Sequence, residues 1–298
     1  MNPSPPLSMW GLALLALGAC ASTTPAGPAP PPPLQLAGAQ AEVYKTIGDV
    51  ELWLYRFEPA GHRASDARPA IVFFFGGGWN GGTPTQFEKQ ARYLATRGMV
   101  AAVADYRVKS RHGTTPFACV ADGKGAVRWL RVHAERLGID PVRVAAGGGS
   151  AGGHVAAAAG VVPGLEEAGA DVKVSSRPDA LVLFNPVFDN GPDGWGHGRV
   201  EERWREISPL HNIRAGAPPT LVLLGDQDKL VPVATAEEYG ARMEAVGSRC
   251  DLEVYADQGH GFFNKSRSPE HYVLTVGAMD RFLASLGWLE GAPTLADG

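Results

Sequence analysis

Short apolar runs recur along the chain, and most are separated by stretches with helical periodicity. The apolar runs occupy residues 50–57, 70–75, 99–104, 142–146, 180–184, 220–224 and 252–255. The helical patterns cover residues 86–96, 117–137, 151–159, 234–246 and 270–286. Continuous apolar runs such as AIVFFF (70–75) are typical of strands that are covered on both faces. This alternation predicts an α/β fold, with a mostly parallel central sheet and helices on both faces.

A glycine-rich stretch, GGGSAGGH (147–154), lies where such a sheet binds its ligands, just after an apolar run. Each interior glycine costs roughly 0.5 to 1 kcal/mol relative to alanine, so the density of glycines indicates that other backbone passes very close. Within it, Gly148 to Gly152 match the pattern G-x-S-x-G and lead into a helical pattern. Ser150 is therefore predicted to sit on a cramped strand-to-helix turn that exposes its hydroxyl as a nucleophile.

A serine hydroxyl becomes nucleophilic when a neighbouring base accepts its proton and a third group orients that base. His260, in QGHGF (258–262), follows the apolar run 252–255 and is the candidate base. Asp226 and Asp228, in GDQD (225–228), follow the run 220–224 and are candidates for the orienting carboxylate. The order Ser, Asp, His along the chain is the order found in one large class of α/β enzymes.

Acyl transfer also needs hydrogen-bond donors for a developing oxyanion, and losing one such donor typically costs ~10²- to 10³-fold in rate. The segment FGGGW (75–79) directly follows an apolar run, so the backbone N–H groups of Gly77 and Gly78, joined by that of Ala151, are the candidate donors. Trp79 and Asn80 are candidate substrate contacts beside this loop. Trp195 is a candidate for stacking on a sugar ring, although its segment (185–200) also reads as an ordinary surface loop.

From about residue 44 to residue 286 the chain resembles the α/β-hydrolases of the esterase/lipase group, and more narrowly the bacterial acetyl esterases that act on plant polysaccharides. The residues that carry the resemblance are Phe75 to Trp79, Asp105-Tyr106-Arg107, Gly148 to Gly152, Asp228 and Gly259-His260-Gly261. The family has HGGGW where this chain has FGGGW, so Phe75 replaces a histidine. The resemblance implies a serine carboxylesterase for short acyl groups, and it favours Asp228 over Asp226, which then forms a turn or is solvated.

Other readings remain open at this point. A peptidase of the prolyl-oligopeptidase type has the same three side chains, and a binding protein that keeps the fold without turnover is a third possibility. His154 lies four residues after Ser150 and is expected to be a packing residue, whereas Arg107 is expected to pair with a carboxylate and brace the loops. The net charge of −4, without a basic stripe, argues against nucleic acid as a partner. The eight histidines show no metal-binding spacing, so neither a metal nor a cofactor is predicted.

The N-terminal region predicts export. Residues 10–19 are apolar but too few to span a bilayer, and LGAC (17–20) resembles the lipobox at which bacterial lipoproteins are cleaved and acylated. Residues 1–20 are thus expected to be a signal with Cys20 as the lipidation site, with plain secretion as the alternative. This predicts a periplasmic-side or outer-membrane lipoprotein that contacts the membrane only through its anchor.

Composition also predicts the domain boundaries. Residues 21–40 are rich in proline and alanine, which favours an extended spacer, and residues 41–298 are expected to form the hydrolase domain. An exported protein permits Cys119 and Cys250 to form a disulfide, but two unpaired thiols are equally compatible with the sequence.

Overall fold

The computed structural model describes residues 1–4 and 34–295. The strands are β1 (Gln40–Ile47), β2 (Val50–Phe57), β3 (Arg68–Phe74), β4 (Val100–Ala104), β5 (Ile139–Gly149), β6 (Ala180–Phe184), β7 (Thr220–Gly225) and β8 (Cys250–Tyr255). The helices are α1 (Glu88–Thr96), α2 (Lys109–His112), α3 (Pro116–Val132), α4 (Ala134–Leu137), α5 (Ala151–Val161), α6 (Val233–Ala245) and α7 (Pro269–Ser285).

The eight strands form a single sheet in the order β1-β2-β4-β3-β5-β6-β7-β8. The β1–β2 and β2–β4 pairs are antiparallel, and every other pair is parallel. The carboxyl ends of β3, β5, β6, β7 and β8 therefore meet at one edge of the sheet. The loops that leave this edge carry every catalytic candidate from the sequence.

Helices cover both faces of the sheet, as the alternation predicted. Along β3, Ala70, Val72 and Phe74 point into a core shared with α3, α5 and α6, whereas Ile71 and Phe73 point into a core shared with α1 and α7. All eleven residues of α5 are buried, and most are alanine or glycine. A helix that is apolar on all sides packs against other elements on all sides. Helix α5 is therefore a fixed support for Ser150, the residue that precedes it.

The first strand was not anticipated. In β1 only Tyr44 is buried, because the strand lies at the edge of the sheet and half of it faces solvent, so it lacks the apolar run that marked the others. Folded contacts begin even earlier, since the Leu34 backbone N–H donates to the Tyr55 hydroxyl at 2.9 Å. The domain therefore begins by Leu34, before the boundary at residue 41 that composition suggested.

Two further details differ from the predicted elements. The helix expected over residues 117–137 is divided into α3 and α4 at His133, whose backbone leaves the helical region (φ −99°, ψ 12°) and whose ring Nδ1 lies 2.8 Å from the Trp129 carbonyl oxygen. Gly147 to Gly149 belong to β5 rather than to a turn, and they pair with β3 and β6.

Cys119 and Cys250 are both free thiols, so the structure contains no disulfide between them. The expected signal, with Cys20, and most of the expected spacer lie outside the described residues. Within residues 1–4 and 34–295, no helix combines the length and the apolar character that crossing a membrane requires.

Candidate active site

Ser150 occupies the turn between β5 and α5. Its backbone is strained (φ 54°, ψ −120°), a conformation that costs about 1–3 kcal/mol for a residue with a side chain. The Ser150 N–H donates to the Phe184 carbonyl at 3.0 Å, which ties the turn to β6. A Cβ atom at Gly152 would lie 2.1 Å from the Phe74 carbonyl oxygen, so only glycine lets the first turn of α5 pass the end of β3. The glycines of this stretch thus serve close packing around a half-buried serine.

His260 lies in the loop after β8 and contacts both other candidates. Its Nε2 is 2.9 Å from Ser150 Oγ, and its Nδ1 is 2.7 Å from Asp228 Oδ2. The next residue, Gly261, donates its N–H to the side-chain oxygen of Asn185 at 2.9 Å, which anchors the loop to the end of β6. The imidazole therefore bridges the hydroxyl and the carboxylate with both of its nitrogens.

Asp228, not Asp226, is the acidic partner. Its carboxylate is fully buried, and its second oxygen accepts the N–H groups of Leu230 and Val231 at 2.8 and 3.1 Å. Asp226, two residues earlier, is exposed to solvent. Asp228 thus keeps one oxygen fixed by backbone and presents the other to His260.

The loop after β3 supplies unused backbone donors beside Ser150. Gly77 (φ 126°) and Gly78 (φ 62°) have backbones that side chains disfavour, and a Cβ at Gly77 would lie 2.3 Å from the Gly81 carbonyl oxygen. Within residues 34–295, the N–H groups of Gly77 and Gly78 have no hydrogen-bond acceptor. Ala151 is the first residue of α5, where a helix leaves its N–H groups unpaired. All three predicted donors are thus available.

The phenylalanine that replaces the family histidine has a structural role. The Phe75 ring stacks on Tyr106 with centroids 4.2 Å apart, and the Tyr106 hydroxyl donates to the Phe75 carbonyl at 2.6 Å. Arg107 pairs with the buried Asp122 at 2.8 Å and also with Glu167, which confirms the expected bracing role. The Asp105-Tyr106-Arg107 segment therefore supports the glycine loop from behind.

Two side chains that sequence reasoning missed connect the glycine loop to the histidine loop. Gln86 accepts the Gly76 N–H at 2.6 Å and donates to Asn264 Oδ1 at 3.2 Å. Asn264 in turn donates to the Gly261 carbonyl at 2.7 Å. Gln86 and Asn264 are 178 residues apart in the chain, and neither belongs to a motif, so no signal in the sequence pointed to this bridge.

Replacing Gln86 by leucine is expected to lower kcat for an aryl acetate by about 10- to 100-fold, with a smaller change in KM, because donors displaced by less than an ångström lose much of their effect. Gln86→Glu is the matched control. It keeps an acceptor for Gly76 but no donor for Asn264, so an intermediate loss is expected. Steady-state kinetics and the melting temperature of each variant check this. Equal kcat in the wild type and Gln86→Leu would show that the bridge positions nothing.

A cavity of about 430 Å³ opens in front of Ser150 and His260. Trp195 lines it, as predicted, together with Leu230 and Phe263. Trp79 and Asn80, the other predicted substrate contacts, do not line this cavity. Trp79 is only 2% exposed and packs beneath Trp195, with ring centroids 5.1 Å apart. Trp79 and Asn80 line a neighbouring cavity instead. A tryptophan directly after the glycines turns inward because its φ of 56° reverses the chain there.

His154 is a packing residue, as expected. It is fully buried, its Nε2 lies 2.9 Å from Asn190 Oδ1, and its ring meets that of Trp79 edge-on at 4.9 Å. Burial lowers the pKa of His154 to about 4, and the hydrogen bond to Asn190 opposes that effect only in part. His154 therefore stays neutral in the folded protein at neutral and mildly acidic pH.

This pKa predicts acid sensitivity. Between pH 6.5 and pH 4 an unfolded histidine binds a proton that the folded His154 does not, so the free energy of unfolding falls as the pH is lowered, by about 3 kcal/mol from this residue. Urea unfolding at pH 7, 5.5 and 4.5 should show a steeper pH slope for the wild type than for His154→Gln. If the variant does not fold, NMR titration of the wild-type ring gives the pKa directly. Identical slopes, or a ring that titrates near 6.5, contradict the prediction.

A serine on a strained elbow, with an imidazole and a carboxylate in line at the carboxyl edge of the sheet, is the fold and site of an α/β-hydrolase. Comparisons with known proteins agree with this assignment. The BD-FAE family profile matches residues 57–188, and that of the dienelactone hydrolase family matches residues 194–289. The structure is similar to the apo form of Thermogutta terrifontis esterase 2, with a TM-score of 0.84 and 44% identity over 87% of this chain and 98% of that chain.

Curated sequences place the chain in the same group. Carboxylesterase NlhH of Mycobacterium tuberculosis is 37% identical over 67% of this chain and 68% of its own length. The acetylxylan esterase of Xylanibacter ruminicola is 27% identical over 75% of this chain and 46% of its own length. The chain spans about half the length of several curated relatives that it matches. It belongs to the α/β-hydrolase serine esterases.

Proposed function

We propose that this protein hydrolyses short-chain carboxylic esters, acetyl esters in particular, with Ser150 as nucleophile, His260 as base and Asp228 as its orienting acid. The observation that carries the proposal is the position of His260, within hydrogen-bond distance of Ser150 Oγ on one side and Asp228 Oδ2 on the other. That arrangement activates a serine without a metal or cofactor.

In the first half of the reaction, His260 Nε2 accepts the Ser150 proton as Oγ attacks the ester carbonyl carbon. The carbonyl oxygen gains negative charge, and the N–H groups of Gly77, Gly78 and Ala151 donate to it. Collapse of this intermediate breaks the bond to the alcohol oxygen, which leaves with the proton from His260. In the second half, water loses a proton to His260 and attacks the acyl-enzyme, and Ser150 regains its proton as the acid is released.

The relatives support both the activated nucleophile and the short acyl group. Thermogutta terrifontis esterase 2 has been solved phosphorylated by paraoxon and phosphonylated by sarin, reagents that react with activated nucleophiles. The same protein has been solved with propionate and with butyrate bound, which favours a short acyl group. The acetylxylan esterase among the relatives, together with Trp195 in the cavity wall, favours a carbohydrate as the alcohol.

A substrate panel tests this function. We expect acetate release from acetylated xylan oligosaccharides and from 4-nitrophenyl acetate, with 4-nitrophenyl octanoate and feruloyl esters at least about tenfold poorer in kcat/KM. This expectation rests on the short acids bound to Thermogutta terrifontis esterase 2 and on a cavity of about 430 Å³ that holds the acyl group beside the alcohol. A preference for octanoate or feruloyl esters would overturn the acetyl assignment, and aryl acetate cleavage without release from any acetylated sugar would overturn the carbohydrate assignment.

A further inference from the structure

A second cavity adjoins the proposed catalytic cavity on the side of the glycine loop. It has a volume of about 290 Å³, and Gly78 lines both cavities. Its wall includes Lys109, Thr115 and Arg199, as well as Asn80. The glycine loop therefore forms a wall common to the proposed catalytic cavity and this one.

The charged side chains that line these two neighbouring cavities are all positive. Lys109 and Arg199 line the second cavity, Arg267 lines the catalytic one, and no aspartate or glutamate lines either. Within the described chain, none of these three cations has a carboxylate within 4.0 Å, whereas most other arginines are paired. In a protein whose net charge is −4, these three cations all line two neighbouring cavities that share Gly78.

Arg199 is held in place rather than swinging freely in solvent. Its guanidinium donates to the Gly78 carbonyl and lies over the Trp195 ring, 5.0 Å from the centroid, and 5.9 Å from that of Trp79. The Trp79 indole N–H is buried and has no partner within the described chain. A fixed charge costs little further entropy when it binds a ligand of opposite charge.

The other flank of the catalytic cavity is different. There, a third cavity shares Trp195 and Leu230 with it and is lined by Asp189, Asp193 and Lys229. Trp195 thus separates a side that carries carboxylates from a side that carries only cations.

We propose that the cavity between Lys109 and Arg199 is a subsite for a carboxylate on the alcohol part of the ester, and that Arg267 in the wall of the neighbouring catalytic cavity adds to the attraction. This inference rests on the proposed esterase function. The negative group belongs to the alcohol because an acetyl group is too small to carry it. Uronic acid sugars and aromatic acids share this chemistry, and a carboxylate receives charge-assisted hydrogen bonds from lysine and arginine.

The test compares 4-acetoxybenzoate with 4-acetoxybenzamide, two aryl acetates that differ in one charged group. The kcat/KM for the benzoate divided by the kcat/KM for the benzamide is the ratio of interest. It is measured at low salt in the wild type, Lys109→Gln, Arg267→Gln and the double variant. We expect this ratio to be highest in the wild type, reduced about threefold by each substitution and about tenfold by both, from charges acting across a few ångströms of water. Arg199 is left intact because its loss would also release the Gly78 carbonyl.

Lys173→Gln is the control. Lys173 is exposed in the connection that enters the amino end of β6, at the edge of the sheet opposite the site. The Lys173→Gln variant should therefore have the same ratio as the wild type. Salt at about 0.5 M should bring all ratios together. Equal ratios in the wild type and the double variant overturn the subsite while leaving the esterase function standing. Hydrolysis of neither acetate by the wild type overturns both. Acetate release from acetylated galacturonate and xylose oligosaccharides then shows whether the acid is a sugar acid.

Discussion

Ser150→Ala is expected to reduce kcat for 4-nitrophenyl acetate by about 10⁴- to 10⁶-fold, because alanine has no oxygen to form the acyl-enzyme and the remaining groups act as a unit. The residual rate comes from the donors of the glycine loop acting on attack by water. The side chain makes no packing contact that alanine cannot keep, so the melting temperature should change little.

A second readout separates loss of the nucleophile from loss of the fold. A fluorophosphonate probe should label the wild type at Ser150 and fail to label Ser150→Ala. Ser248→Ala is the matched control. Ser248 lies in the turn that precedes β8, at the edge of the sheet away from the site, and this variant should keep full activity and labelling. Turnover by Ser150→Ala near the wild-type rate would refute the proposed mechanism.

Asp228→Asn is expected to lower kcat by about 10⁴-fold with the geometry nearly intact. In the wild type one carboxylate oxygen accepts the N–H groups of Leu230 and Val231, and the other faces His260 Nδ1. An asparagine that keeps the backbone bonds must turn its NH₂ toward His260. Nδ1 then becomes an acceptor and Nε2 carries the hydrogen, so Nε2 no longer accepts the Ser150 proton.

Asp226→Asn is the control for this experiment, because it makes the same chemical change two residues away. The Asp226 side chain is exposed, and its backbone N–H bond to the Tyr255 carbonyl does not depend on the carboxylate. We expect kcat within about twofold of the wild type, since a solvent-exposed charge contributes little at this distance. A large loss in Asp226→Asn with a small loss in Asp228→Asn would reverse the assignment of the acid.

Much of the architecture could be read from local patterns. Strands β3, β4, β6 and β7 and the second half of β5 are buried on both faces, and burial on both faces requires continuous apolar runs that are visible without a structure. The edge strand β1 was not predicted, because a strand that faces solvent on one side does not need a continuous apolar run. The serine elbow was visible because close backbone approach demands glycine at fixed positions, as Gly152 shows.

The surroundings of the site could not be predicted from the sequence to the same extent. Gln86 and Asn264 meet across 178 residues, and their bond depends on how two loops return to the same edge of the sheet. The placement of Trp79 beneath Trp195 depends on a reversal of the chain at one residue, which neighbouring positions in the sequence do not reveal. The positions of Lys109, Arg199 and Arg267 in the walls of two neighbouring cavities have the same origin.

The sequence by itself determined the class of fold, the nucleophile on its elbow, the histidine and the loop of donors, because each depends on local conformation or on which strand a loop follows. Only the tertiary structure decided which side chains line the cavity, how the two loops are joined, and where positive charge gathers. Those properties arise from contacts between segments distant in the chain, and such contacts exist only once the sheet has brought its carboxyl ends together.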